Sequence, residues 1–189
     1  MHARFVSQIS RITRSLLIAI TMALLTTTGA IAADRSALER SARSAYQKLI
    51  DKVPAAKALS GDALAVLVFP KITKAGLVIG GQYGDGVLFK GGKVAGYYNT
   101  AGASYGLQAG AQRYGYAMFF MNERALNTLN SNEGFEVGVG PSVVVVDQGM
   151  GKSLTTMTAD NDIYAFIFSQ KGLMAGIGLQ GNKITKLKP

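Results

Sequence analysis

Between residues 34 and 53 the apolar positions Leu38, Ala42, Ala45, Tyr46, Leu49 and Val53 recur every three or four residues. That spacing gathers side chains on one face of a helix. Ser36 followed by Glu39 has the form of a capping box, in which each side chain satisfies a free backbone N–H of the first turn. An amphipathic helix over Asp34–Val53 is therefore predicted. Its charged residues, Arg40, Arg43, Lys48 and Lys52 with Glu39 and Asp51, scatter around the remaining circumference. A membrane-surface helix concentrates its cations on the polar face, so the stripe is expected to pack on its own domain. The charges are then left to face outward, toward a bilayer among other surfaces. Pro54–Gly61 reads as a connector.

Beyond it the period shortens. Ala63–Phe69 is a continuous apolar run closed by Pro70, as expected for a strand buried on both faces. From Gly76 to Gly115 the chain holds 12 of its 23 glycines, interleaved with Val, Leu, Ile, Phe and Tyr at strand-like intervals. Between Ser104 and Gln112, the residues Tyr105, Leu107, Ala109 and Ala111 alternate with Gly, Gln and Ser. Gly91-Gly92 fits a two-residue hairpin turn, where both central residues take positive φ. Glycine repeated along a strand leaves its backbone open to close approach. The segment is predicted to be a β-meander with one bare face. Gly115–Met121 follows as an apolar strand, and Asn122 can cap a short helix, Glu123–Leu129. Phe135–Val139, Ser142–Val146, Ile163–Ser169, Leu173–Leu179 and Lys183–Leu187 read as further strands, with a turn at Gly181-Asn182. Gln148–Asp162 is a polar, glycine-containing connection. No repeat of fixed period is present. The predicted class is α+β: an N-terminal amphipathic helix packed on a mostly antiparallel, glycine-rich sheet, sandwich-like or barrel-like.

Composition changes the picture at the N-terminus. Arg4, Arg11 and Arg14 precede an apolar core, Leu16–Leu25, and a small-x-small signal, Ala30-Ile31-Ala32. That order predicts a secretory signal peptide over residues 1–32 and one domain over 33–189. A transmembrane anchor needs about 20 apolar residues, and Thr26, Thr27 and Thr28 interrupt this run first. With no cysteine in the chain, a lipidated N-terminal Cys and any disulfide are both excluded. The expected location is the periplasm or cell envelope, not as a lipoprotein. Residues 34–75 carry 8 basic and 4 acidic groups, residues 76–170 carry 5 and 7, and Lys171, Lys183, Lys186 and Lys188 follow with no acid. Basic ends around a near-neutral middle suit an anionic surface such as phospholipid headgroups. Nucleic acid is disfavoured by the export signal.

Three catalytic patterns fail on inspection. Gly102–Gly106 matches G-x-S-x-G around Ser104, but the nucleophile elbow needs a histidine base. The one histidine is His2, inside the signal segment. Gly149–Ser153 ends like a phosphate loop, yet Val146 stands where its first glycine belongs. Gly176–Gly181 matches G-x-G-x-x-G too near the C-terminus for a βαβ unit. Without His or Cys after residue 32, oxygen ligands alone remain for a metal, and Asp160 and Asp162 lack the bidentate Glu of a calcium loop. A solvated turn is expected there. The expectation is no enzyme, no cofactor and no metal.

Five stretches resemble a known family. ALAVLVFPKITKAGLVIGGQYGDGVLF (63–89), GASYGLQAGAQ (102–112), FFMNERAL (119–126), FEVGVGPSVVV (135–145) and FSQKGLMAGIGLQGNKI (168–184) are similar, in order, to the SYLF domain, also called the Ysc84-type actin- and lipid-binding domain. The resemblance implies lipid binding. Eukaryotic members bind phosphoinositides, and yeast members bind actin; neither ligand is expected in a periplasm. Bacterial members stand alone behind a signal peptide. Family lipid contact lies around the basic N-terminal helix, which implies Arg40, Arg43, Lys48, Lys52, Lys71 and Lys74 here. The partner so implied is an anionic phospholipid or membrane surface. Two alternatives stand beside it. One is an envelope protein-interaction or structural module presenting Tyr83, Tyr97, Tyr98, Tyr105, Tyr114 and Tyr116. The other is a small outer-membrane β-barrel, against which VLVF and VVVV speak because a polar lumen needs alternating polar residues.

Overall fold

The computed structural model describes residues 33–76, 79–105, 110–131, 134–146, 161–172, 179 and 181–188. The chain divides into two units, 1–37 and 38–189. Of the first, residues 33–37 alone are described, and they are helical. The expected signal peptide lies outside the described residues.

The first helix, α1, runs over residues 33–52, and all six predicted apolar positions pack into one cluster with the sheet. Ser36 lies within this helix, not at its start. The Glu39 carboxylate instead accepts a hydrogen bond from the Tyr97 hydroxyl, so the predicted capping box does not form. The predicted connector is itself a helix, α2 (Pro54–Asp62), with Pro at its first turn and Ala55 and Ala56 buried. Proline at that position loses no helical hydrogen bond, which is why a proline-led segment of small residues can still be helical.

Strand β1 (Ala65–Gly76) does not stop at Pro70 as predicted. Its pairing with both neighbours shifts register around Pro70: between Phe69 and Ile72 on one side and between Val68 and Thr73 on the other. The irregularity absorbs a residue that cannot donate to a ladder. The run Ala65–Phe69 is buried on both faces, as its continuous apolar pattern requires. β2 (Ile79–Lys90) returns beside it, and the Gly91-Gly92 turn, with φ of 57° and 75°, leads into β3 (Lys93–Tyr105). The meander ends there. β4 (Gly110–Phe120) lies on the far side of β1, giving the local order β3-β2-β1-β4. Three consecutive strands with the fourth returned beside the first make a Greek key. The alternating run from Ser104 to Gln112 therefore belongs to two strands that are not neighbours, and residues 106–109 lie outside the described residues.

Asn122 caps α3 (Glu123–Leu129) as predicted: its Oδ1 accepts from the Ala125 N–H at 3.0 Å. The strand expected over Phe135–Val139 shortens to β5 (Phe135–Glu136), because the chain turns through Gly138 and Gly140 with φ of 99° and 96°. β6 (Val143–Val146), β7 (Ile163–Gly172) and β8 (Lys183–Lys186) complete one sheet. The polar connection 148–160 and most of the strand predicted over Leu173–Leu179 fall outside the described residues.

The eight strands run β5-β8-β3-β2-β1-β4-β7-β6, every pair antiparallel except β6–β7. Among the described residues the fold is α+β on one strongly curled, half-barrel sheet, the barrel-like form of the two expectations and not the sandwich. α1 and α2 pack on one face against Val66, Val68, Val87, Phe119 and Phe166. We call this the outer face. α3 covers the other, inner face with Leu67, Phe69, Tyr116 and Met118.

The glycine-rich strands are indeed approached closely, and the visitors are the protein's own side chains. A Cβ at Gly86 would stand 2.6 Å from the Phe69 ring, and one at Gly84 would stand 2.5 Å from Ile72 Cδ1. The Phe168 ring fills the space at Gly115, and Asn182 that at Gly102. The surface expected to be bare is interlocked.

Candidate functional site

The cations of α1 are placed by its apolar stripe. With Ala42, Tyr46 and Leu49 turned into the outer-face cluster, Arg40, Arg43, Lys48 and Lys52 are left exposed. Arg43 leans over the sheet: its guanidinium lies 4.8 Å from the Phe89 ring centroid and donates to the Gly92 carbonyl at 3.0 Å. That pins α1 to the tip of the β2–β3 hairpin. The hairpin end, α1 and the end of α2 enclose a cleft of about 750 Å³. Lys48 and Lys52 line a second cleft, of about 410 Å³, with Phe168, Ser169 and Gln170 of β7. Ser169 has a φ of 54°, at the point where β7 carries one extra residue relative to β4. A residue in the left-handed region is a common way to build such a bulge.

Lys71 is exposed within the β1 irregularity. Lys74 is a correction. It sits on the inner face, 7% exposed, in a polar row with Gln112 and Gln82. Strand alternation explains this: Thr73 points outward, so Lys74 points in. The Tyr114 hydroxyl donates to Gln82 Oε1 at 2.5 Å, and Gln82 in turn donates to Asn182. Lys74 belongs to the interior and not to a lipid-facing surface.

The register brings out cations that the spacing of the sequence does not reveal. Directly paired residues share a face, and one line of pairs crosses almost the whole sheet: Glu136, Lys183, Ala101, Tyr83, Thr73, Arg113, Lys171. Every member is exposed. On β4, Arg113 alternates with the buried, inward-facing Tyr114 and Gln112, so it shares the outer face with Ala117 and Phe119. The outer face is thus half covered by α1 and α2 and half open, and the open half bears Lys183, Arg113 and Lys171. Ile79 and Tyr83 stand out there, 67% and 57% exposed. Pairing register cannot be read from spacing in one strand, which is why Arg113 escaped a sequence reading and why Lys171 and Lys183 could be read only as part of a basic C-terminal end.

Of the six tyrosines considered as an interaction surface, Tyr98, Tyr114 and Tyr116 are fully buried. Their hydroxyls reach Asn130 at 2.7 Å, Gln82 at 2.5 Å and Thr100 at 2.9 Å. Burial pushes Tyr114 up to about 12 and raises Tyr116 further. Tyr97 is half-buried against Glu39, and the Tyr105 side chain lies outside the described residues. Tyr83 remains.

Asp162 was expected in a solvated turn. It is buried and clasped. Arg124 reaches both carboxylate oxygens at 2.6 and 2.8 Å, Asn122 donates at 2.8 Å, and the Ser142 backbone N–H donates at 2.8 Å. These bonds, Arg124 first, hold its carboxyl well below the usual carboxylate range. Its role is to tie the start of α3 and the approach to β6 to the residue that leads into β7. Ser104 of the apparent nucleophile elbow lies within strand β3, paired with Gly80 of β2, and Gly106 of the pattern lies outside the described residues. The phosphate-loop pattern at Gly149–Ser153 lies outside the described residues.

This architecture defines a class: an α+β domain on a single half-barrel sheet, with a cation-bearing helix laid across half of one face. Residues 101–188 match the family model described as Ysc84, Las17-binding protein actin regulator. The resemblance drawn from the sequence to the SYLF, or Ysc84-type, domain is borne out over those residues, and that family is associated with lipid or actin binding. No curated protein matches the chain.

Proposed function

We propose that this protein is a non-enzymatic lipid-binding module of the periplasm or cell envelope, exported by its N-terminal segment, that docks on anionic phospholipid surfaces. The observation that carries this reading is the common face of its cations. Arg40, Lys48 and Lys52 on α1 and Lys183, Arg113 and Lys171 on the open half of the sheet all rise from the outer side. Each cation brought to an anionic leaflet adds about 1 kcal/mol and loses it within a Debye length. Several together give reversible attachment that salt weakens. Arg43 contributes less than its charge suggests, since it is already engaged with Gly92 and Phe89.

Co-sedimentation of the purified protein with phosphatidylglycerol vesicles and with phosphatidylcholine vesicles tests the proposal. Binding to the anionic vesicles that fades as salt rises is the expected result. Equal binding to both vesicle types, indifferent to salt, would sink it.

A second reading rests on Ile79 and Tyr83. Exposed apolar and tyrosine side chains beside open sheet suit a protein partner, as the words actin and Las17 in the family description also suggest. A stoichiometric protein captured by wild type and lost on Tyr83→Glu would favour it.

A further inference from the structure

We propose that the cleft between α1, α2 and the β2–β3 hairpin is a binding site for one single-chain amphiphile with an anionic head, such as a lysophospholipid or a fatty acid. This rests on the lipid-binding reading above and gives it a second, separable mode: uptake of one molecule instead of attachment to a surface.

The cleft measures about 750 Å³, inside the range of roughly 300–1,000 Å³ typical of small-molecule sites. Its lining brings the apolar side chains of Tyr46, Leu64, Val66 and Phe89 together with the polar Ser44, Gln47 and Ser60. A concave lining cannot touch a flat bilayer. It can receive a hydrocarbon chain that has left one, and removing that chain from water is favourable in proportion to the area covered. One chain fits this volume, whereas the two chains of a diacyl lipid exceed it.

The head is placed by Arg43 on the α1 wall. One of its N–H groups is used on the Gly92 carbonyl and its plane lies over Phe89. A guanidinium carries five donors in a rigid fork, so the contacts that fix its position leave further N–H groups for a phosphate or carboxylate. The Gly91-Gly92 turn beside it presents backbone without side chains, and a Cβ at either glycine would meet nothing within 4 Å. The mouth is therefore open on the side where the charged head must remain in water. Apolar lining side chains, fixed cation and uncluttered mouth together select an amphiphile over a wholly polar or wholly apolar ligand.

Gly61 provides the test. It lines the cleft from the end of α2, its φ lies outside the left-handed region, and an added Cβ there meets nothing within 4 Å. Gly61→Trp therefore sets a large side chain at the rim of the cleft without straining the fold, and replacing a helical glycine favours α2. The probes are lysophosphatidylglycerol below its micelle concentration, measured by calorimetry on the full chain, and phosphatidylglycerol vesicles, measured by sedimentation. Wild type should take up the lysolipid saturably, one per chain. Gly61→Trp should weaken that uptake by at least about tenfold while vesicle sedimentation is retained. Ser44→Trp, from the opposite wall, should do the same, and Arg43→Gln should lower affinity for the lysolipid but not for a neutral monoacylglycerol. Undiminished uptake by both Trp variants, or no saturable uptake by wild type, overturns the cleft assignment. Vesicle sedimentation judges the surface reading separately in either case.

Discussion

A single carboxylate, Asp162, joins three elements through Arg124, Asn122 and Ser142. Its folded-state affinity for a proton is lower than in the unfolded chain, where the ordinary value is 3.8. Its contribution to stability is therefore fully present above that pH and is lost as pH falls toward the lower folded-state value. Asp162→Asn should cost about 1–3 kcal/mol, as losing charge-assisted hydrogen bonds does, with Arg124 itself largely exposed, and should flatten the acid limb of stability against pH in urea titrations. The glycines under aromatic rings give a sharper contrast. Gly86→Ala drives a methyl into the Phe69 ring and should cost about 1–3 kcal/mol as overpacking. Gly61→Ala, in open space within α2, should be neutral or stabilising by up to about 1 kcal/mol; thermal melts of the two variants check both signs. At this scale the sequence was legible wherever the chemistry is local. Asn122 could be recognised as a cap because its partner is three residues away. Lys74 could not be recognised as buried, because what encloses it comes from Gln82 and Gln112 on neighbouring strands.

The helix α1 shows what periodicity carries and where it stops. Its stripe predicted every apolar residue that packs on the sheet, since burial of one face follows from spacing alone. The capping box misled because the helix is already under way before Ser36, and Glu39 has a tertiary partner in Tyr97. α2 was hidden by its opening proline, and β1 was cut short at Pro70 because a bulge that accommodates proline leaves no mark in the sequence. The exposed cations of α1 and of the open half-sheet are predicted to act as two halves of one docking surface. Charge reversal at Arg40, Lys48 and Lys52 should reduce anionic-vesicle binding, and reversal of Arg113, Lys171 and Lys183 should reduce it further. Neither set should alter the thermal midpoint by more than about 6 °C, because surface changes of this kind stay within about 0.5 kcal/mol each. Loss of vesicle binding with α1 alone reversed, and none with the sheet row reversed, would confine the surface to the helix.

For the molecule as a whole, the α+β class and the mostly antiparallel sheet were legible, because helix and strand periods differ so plainly. Strand order was not, since nothing in the alternating run near Ser104 announces that β4 passes beyond β2 to reach β1. The interior that this order builds is unusually rich in tyrosine. Tyr114 and Tyr116 resist ionisation because burial disfavours the phenolate, so the stability they carry is full below the ordinary value of 10.0 and is lost as pH climbs through about 12 for Tyr114 and higher still for Tyr116. Tyrosinate absorbance from these two residues should appear only together with loss of near-ultraviolet circular dichroism; smooth titration in a folded protein would contradict their burial. The same strand order bears on how the chain is assembled. β3 gains its outer neighbour from β8, with Tyr98 paired to Lys186 far along the chain. Until that segment arrives, β3 presents free N–H and C=O groups, and an open edge is a template for another copy. A chain ended before Lys183 should therefore aggregate through β3, and a chaperone that holds the newly made protein would do most good by shielding that one strand.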